Sequence, residues 1–458
     1  MDTRNVDVII IGAGLTGLTM AFYLKKSGKK VLVIEKADKV GGVIETVSEQ
    51  GFIYETGPNT GVLSTPELVE LFADMEDHCT LETANPKAQK RYILKNGKWH
   101  ALPAGLVSAV KTPLFSLKDK FRILAEPLRK PGNNPDESIA EMVVRRMGRS
   151  FLDYAVDPFI SGIYAGNPEK LVTRYALPKL YALEQNYGSF IKGSIKKKGE
   201  VKTELEKKAT REVFSVKDGL GNLATSIAEK TGMENIVLGA LETRVETANT
   251  EFTVSYSNSN GTRYQANAPV VVSTIGSYEL PALLPFVSEN SLKPITCLEY
   301  AGVVQVALGY KNWKGSSLDA FGGLVPSKEK RGVLGILFLS AIFTGRAPEK
   351  GALLSVFLGG VKNPGTISKS DDEIKALVLK EVEETLFQKT QPDLFRVFRY
   401  SKAIPQYEIS TGERLDCIKS LEAKYPGLIL AGNIRDGIGM ADRVKQAKQI
   451  AEMLIHSK

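Results

Sequence analysis

Cysteine and histidine are scarce in this chain, three of each among 458 residues. Cys79, Cys297 and Cys417 lie far apart with no ligand-like spacing, which excludes a disulfide framework and leaves reduced thiols, as expected of a cytosolic protein. His78, His100 and His456 fall in no metal-ligand or nucleophilic pattern, so no metal is expected and no general base is assigned. No apolar run approaches the roughly 20 residues that cross a bilayer, the nearest being the strand-like stretch 333–342. Any membrane contact is therefore expected to be peripheral. The opening residues lack the basic and apolar regions of an export signal, so a cytoplasmic location is expected.

What is present fits a multidomain globular protein. At roughly 150 residues per domain, the length suggests about three units. Hydrophobic residues at 43% and charged residues at 24% are ordinary for a soluble fold. A formal net charge of +8 favours anionic partners such as carboxylated small molecules, phospholipid headgroups or nucleic acid. Much of the excess crowds the stretch 192–211, at Lys196, Lys197, Lys198, Lys202, Lys207 and Lys208. Without interleaved aromatics this reads as a solvated loop rather than a nucleic-acid surface, and no nucleic-acid partner is expected.

Near the amino end, the β-branched run Val6 to Ile11 predicts a buried parallel strand. It runs into Gly12-Ala13-Gly14-Leu15-Thr16-Gly17, a predicted helix from Leu15 to Ser27, and a second strand from Lys30 that ends on Glu35, followed by Lys36. This order is what a nucleotide diphosphate needs. Gly12 permits the tight turn, Gly14 lets backbone approach phosphate, and Gly17 lets helix and strand meet. The helix start offers unpaired N–H groups to the anion, and Glu35 stands where the adenosine ribose would be. A second glycine pair, Gly41-Gly42, and the turn Gly57-Pro58-Asn59 would let backbone pass close to a longer ligand, pointing to FAD rather than NAD alone.

The pattern returns at the other end. A strand at 428–431 leads into Gly432-Asn433 and on through Gly437-Ile438-Gly439-Met440, where a terminal helix begins. A helix start aimed at the flavin N1–C2=O edge would stabilise the charge that develops there on reduction; a plain surface turn is the alternative. Val245 is read as ending a strand whose backbone serves the adenine.

With these pieces the chain resembles the flavin monoamine oxidase and porphyrinogen oxidase superfamily over essentially its whole length, and within it most closely the protoporphyrinogen oxidase family. The stretches that carry the likeness are 157–171 (DPFISGIYAGNPEKL), Lys90 to Ile93, Leu324 to Glu329, and Arg346-Ala347-Pro348. The resemblance implies a mixed α/β fold whose Rossmann-like FAD domain is assembled from segments 1–80, 199–275 and 406–458. A sheet-based substrate domain would come from 81–102 and 276–405, and an inserted helical domain from 103–198. It further implies that Arg91 pairs with a substrate propionate, that Leu324, Leu337 and Phe357 hold pyrrole rings, and that Gly162 lies beside the macrocycle. Read alone, those apolar residues are core and Arg91 is a surface cation.

The implied reaction is a six-electron oxidation of a porphyrinogen in haem synthesis, with dioxygen as acceptor and ferrochelatase as a neighbouring partner. FAD would be non-covalent, since no cysteine lies near 437–441. In the family the helical insertion attaches to membranes. Here residues 99–130 interleave Leu102, Leu106, Val107, Val110, Leu114, Phe115, Phe121, Ile123, Leu124 and Leu128 with Lys111, Lys118, Lys120, Arg122, Arg129 and Lys130, which suits either helices covering the pocket or a headgroup layer on the inner face of the cell membrane. Coproporphyrinogen oxidation, an amine oxidase or carotenoid desaturase activity, and a flavin-binding scaffold without turnover are the competing readings.

Overall fold

The computed structural model describes residues 3–201, 203–248 and 251–456; Lys202, in the lysine-rich stretch, lies outside them. The β-branched run near the amino end forms the central strand Val8–Ile11 of a parallel sheet. On one side it pairs with Val31–Ile34, which pairs in turn with Ile236–Val237. On the other it pairs with Val270–Ser273, which carries Leu428–Leu430. All four residues of Val8–Ile11 are buried because both faces of the sheet are covered, which is why the sequence there is apolar without alternation. The helices Leu15–Lys26, Gly221–Thr231 and Met440–His456 share one core with one face. The other face packs under Leu241–Ala248, Glu251–Ser257 and Arg263–Ala268 and the helices Glu289–Thr296 and Thr411–Lys424.

The second sheet runs, in spatial order, Leu394–Pro405, Tyr300–Tyr310, Ala352–Gly359, Val333–Leu337, Gly322–Leu324, Arg91–Lys95 and Lys98–Ala101. Its two faces are separated by the period of two along each strand. Val304, Val306, Leu308 and Tyr310 point to the back, where Ile374, Val378, Val382 and Leu386 of the Asp371–Leu386 helix seal them. Gln305, Ala307, Phe357 and Leu324 point to the front. The stretch expected as one apolar run, 333–342, divides into the strand Val333–Leu337 and the short helix Leu339–Ile342.

Between Leu106 and Lys208 the described elements are helical. Of the described part of the lysine-rich stretch, 192–198 and 204–208 are helix rather than the expected loop: Ser189 caps Phe190–Lys198 by accepting from the Lys192 N–H, and Thr203 caps Glu204–Lys208. Lysines in the last turns oppose the negative end of each helix dipole, an i-dependent benefit that composition alone conceals. The core of this region holds a charged knot. Arg146, fully buried, reaches Glu126 and Glu184, while Arg145 bridges Glu184 and Glu137. No described helix is long and apolar enough to cross a membrane. Leu114 and Phe115 turn inward, but Val107, Val110, Leu117, Phe121, Leu124 and Leu128 are between 67% and 86% exposed.

Candidate active site

The three glycine-bearing turns meet along one edge. Strands Val8–Ile11, Val270–Ser273 and Leu428–Leu430 are parallel neighbours, so Gly12, Thr274 and Gly432 all follow their carboxyl ends, where open α/β sheets bind ligands. Gly12 has φ +103° and closes the turn; a Cβ there would meet the Thr274 hydroxyl at 2.6 Å. The helix begins at Leu15, two residues before Gly17, with Gly14 as its N-cap. A Cβ on Gly17 would stand 2.0 Å from the Gly12 carbonyl, so backbone there touches backbone. Leu15 and Thr16 are buried in the same first turn.

Gly14 is different. Nothing lies within 4 Å of where its Cβ would be, and its backbone is extended, a conformation open to any residue. Open space above a helix start whose first N–H groups have no intrahelical partner is what a bound diphosphate requires. The residues present therefore fit FAD. Glu35, at the end of the second strand, accepts from the Ala13 N–H at 2.7 Å and the Ala37 N–H at 2.8 Å. Each carboxylate oxygen retains acceptor capacity for a ribose hydroxyl. Lys36 turns away to pair with Glu279 at 2.5 Å.

The second glycine pair folds back on the first turn. The Gly41 N–H donates to the Ala13 carbonyl at 2.8 Å, and a Cβ on Gly42 would stand 3.3 Å from Gly14 Cα. The 57–59 turn packs on this loop, with the place of a Gly57 Cβ 2.1 Å from the Val43 carbonyl. Pro58 is half-buried; Asn59 is buried, its amide nitrogen donating to Gly57 O while its Oδ1 finds no partner among the described residues. At the carboxyl end, the Gly432 N–H donates to Gln446 Oε1, Asn433 O accepts from Tyr407 Oη, Gly437 has φ +73°, and the Gly439 N–H donates to Asp442. Ile438 is half-buried and Met440 opens the last helix. Val245 does not end a strand. It is fully buried in the interior of Leu241–Ala248, opposite Val254, because the strand continues into a four-stranded layer over the parallel sheet.

On the front of the other sheet, register brings the apolar candidates into line. Leu324 lies opposite Gly335, Gly335 opposite Phe357, and Phe357 opposite Gln305. Leu337, two residues beyond Gly335, shares that face, and Arg91 pairs with Gly322 in the same row as Leu337. Gly162, in the helix Asp157–Tyr164, packs so closely that its Cβ would meet Leu324 Cδ2 at 2.5 Å. The Arg91 guanidinium lies over the Phe321 ring, 5.4 Å from its centroid. Its neighbour Lys90 is tied to Asp319 at 2.6 Å, and Tyr92 leans on the same carboxylate. A cavity of about 360 Å³ opens at the strand ends, between Ser161, Leu334, Gly360 and Lys362.

Residues outside the expected set join the two halves. Gln305 donates to the Glu55 carbonyl at 2.8 Å and Tyr400 to the Thr56 carbonyl at 2.9 Å, fixing the 55–59 turn to the sheet. The Glu55 carboxylate accepts from Thr46 Oγ1 and the Leu220 N–H; burial pushes its pKa up against those bonds and the Arg346 charge. Asp157 accepts from Ser327 and Lys362, latching the helical region to the sheet. Thr274, outside the expected set, has a sequence signal as a small polar residue just past a β-branched run; Glu55 and Gln305 carry none beyond an ordinary strand.

A glycine-turned nucleotide edge facing an apolar sheet defines a flavin-dependent oxidoreductase. The model of the flavin containing amine oxidoreductase family matches residues 15–454, and the chain belongs to that family; it is an FAD-dependent enzyme. Among curated relatives, mitochondrial protoporphyrinogen oxidase of Nicotiana tabacum is 30% identical over 486 residues, covering 98% of this chain and 94% of the relative. Coproporphyrinogen III oxidase of Bacillus subtilis (strain 168) is 26% identical, covering 98% and 97%. A crystal structure of an Exiguobacterium sp. 255-15 protein has the same fold, with TM-score 0.81 at 22% identity and 99% of each chain covered.

Proposed function

We propose that this enzyme oxidises protoporphyrinogen IX to protoporphyrin IX, with dioxygen as the acceptor. The observation that carries the reading is the single sheet face on which Arg91, Leu324, Leu337 and Phe357 converge, roofed by Gly162 and tied by Gln305 to the 55–59 turn. Leucine and phenylalanine side chains suit the faces of a large, mostly apolar ring. Arg91 offers a planar fork to one carboxylate, and its stacking on Phe321 holds the fork without neutralising it. Because Lys90 is already paired, Arg91 is the cation of this run left for substrate, which favours two carboxylates over four.

Held by the Gly12–Gly17 and 432–440 turns, FAD would supply two-electron oxidation, a hydride from a methylene bridge being matched by two electrons passed to dioxygen, so that three rounds would remove six electrons and six protons and yield three molecules of hydrogen peroxide. The protein's part is to hold the ring in orientation, exclude water with the apolar face, and anchor the carboxylate. The exposed apolar and basic helices of residues 106–128 would rest in a headgroup layer on the cytoplasmic face, within reach of a ferrochelatase that takes the product.

The Bacillus subtilis relative, matched over nearly its whole length, supports coproporphyrinogen as a second reading. Rates measured side by side on the two porphyrinogens decide between them. Faster turnover of the tetracarboxylate would replace the first reading with the second. Flavin that neither porphyrinogen bleaches under anaerobic conditions would reject both.

A further inference from the structure

Arg443 stands in the first turn of the Met440–His456 helix and is only 9% exposed. A guanidinium so removed from water is costly unless an anion compensates it. Its acceptors among the described residues are neutral. It donates to Gln446 Oε1 at 3.0 Å and to the Asp436 backbone carbonyl, while its Nε has no partner among the described residues. The carboxylates whose fields reach it are engaged elsewhere: Asp442 accepts from the Gly439 N–H at 3.2 Å, and Asp436 Oδ2 accepts from the Gln446 amide at 2.6 Å. Burial lowers its pKa, against the fields of Tyr407, Asp436 and Asp442.

Its place in the fold says which anion it serves. The turn it grips, 432–439, follows the carboxyl end of Leu428–Leu430, on the edge that also carries the first glycine turn. Gln446 holds Gly432 through both its N–H and its carbonyl, so the turn and the guanidinium form one rigid unit. Two-electron reduction of a flavin with uptake of one proton leaves one negative charge at N1–C2=O, and a fixed cation stabilises that charge without reorganising.

We infer that Arg443 tunes the flavin, its positive charge behind the 432–440 turn stabilising the reduced isoalloxazine and raising the midpoint potential. This rests on the reading of that turn as the flavin's, and on no particular substrate. Arg443 is not part of the diphosphate cradle, which belongs to the Gly12–Gly17 turn.

The test is spectroelectrochemical titration of the FAD-loaded protein with no porphyrinogen present. Arg443→Gln should lower the two-electron reduction equilibrium at least about tenfold, which corresponds to about 30 mV, whereas Arg443→Lys should recover most of it. A structural role alone would reduce FAD retention in both variants and leave the potential unmoved, and that result overturns the inference. Should Arg443→Gln fail to fold, the native protein still answers. Its potential should fall by about 30 mV per pH unit below neutrality as well as above, one proton for two electrons, because the cation keeps N1 deprotonated. A slope of about 59 mV per pH unit on the acid side would sink the idea. An inactive protein with the expected potentials would discredit the proposed substrate and leave the role of Arg443 standing.

Discussion

Gln305 and Glu55 are joined by a 2.8 Å hydrogen bond from a buried side-chain amide to a buried backbone carbonyl, and this bond couples the sheet that bears Arg91 and Phe357 to the 55–59 turn. Replacing the amide with an apolar group of similar length strands the carbonyl. Gln305→Leu should destabilise the protein by about 1–3 kcal/mol and weaken flavin retention, read by chemical denaturation and by FAD content after dialysis. Unchanged retention would detach Gln305 from the cofactor side.

Gly14 and Gly17 make opposite predictions three residues apart. Gly14→Val meets open space in the protein itself, so the apoprotein should fold with little loss of stability yet bind no flavin. Gly17→Ala drives a methyl into the Gly12 carbonyl and should destabilise the fold by about 1–3 kcal/mol. Thermal melts of flavin-free protein separate the two. Full yellow colour in Gly14→Val would remove the diphosphate from that turn.

Arg91→Ala should cost about 1.5–3 kcal/mol in kcat/KM for a porphyrinogen, the usual range for a hydrogen bond to a charged group, with flavin content unaltered. Steady-state kinetics on both porphyrinogens provide the measure. Unchanged kinetics would return Arg91 to the status of a surface cation stacked on Phe321.

The Glu126–Arg146 pair predicts acid sensitivity. Burial alone would raise the Glu126 pKa, but hydrogen bonds from Ser189, the Phe190 N–H, Arg146 and the Ile191 N–H prevail and hold it below the ordinary carboxylate range. A depressed carboxyl contributes stability that is present above its unfolded value and is lost as pH falls through its folded value. Melting temperature should therefore drop in acid below the usual glutamate range. Glu126→Gln should cost about 1.5–3 kcal/mol at neutral pH, because Arg146 loses one of its two buried carboxylates and keeps Glu184, and should flatten the acid response.

Phe121, Leu124 and Leu128 are exposed beside basic side chains, so removing them should spare the fold and abolish surface binding. A Phe121→Asp, Leu124→Asp, Leu128→Asp triple variant should melt as the native protein does and lose most co-sedimentation with anionic phospholipid vesicles. Equal binding by the variant would place membrane contact elsewhere.

Local signals were legible from the chain, and long-range ones less so. The first turn was readable because Gly12, Gly14, Gly17 and Glu35 act within one strand–helix–strand unit, and each residue type has a separate steric or hydrogen-bonding reason to be there. The carboxyl-terminal glycines were readable for the same reason. The apolar candidates Leu324, Leu337 and Phe357 are indistinguishable from core by residue type; only cross-strand register shows that they share a face with Arg91. Gln305 and Glu55 are 250 positions apart, and no periodicity in either segment foretells their bond. The lysine-rich segment 192–211 misled at 192–198 and 204–208, because charge was weighed without the caps Ser189 and Thr203, which commit those two runs to helix.

The parallel sheet is threaded so that its last member, Leu428–Leu430, joins at an edge after four others have been laid down from distant parts of the chain. During synthesis on the ribosome, the first glycine turn is thus exposed to solvent long before the segment bearing Gly432 and Arg443 emerges. An N-terminal fragment could acquire strands, but the nucleotide would find only part of its berth. If the 432–440 turn holds flavin as proposed, capture would be a late event in biogenesis, and a chain cut short before residue 428 should be recognised by cellular proteases as an unfilled apoprotein rather than as a weakened enzyme.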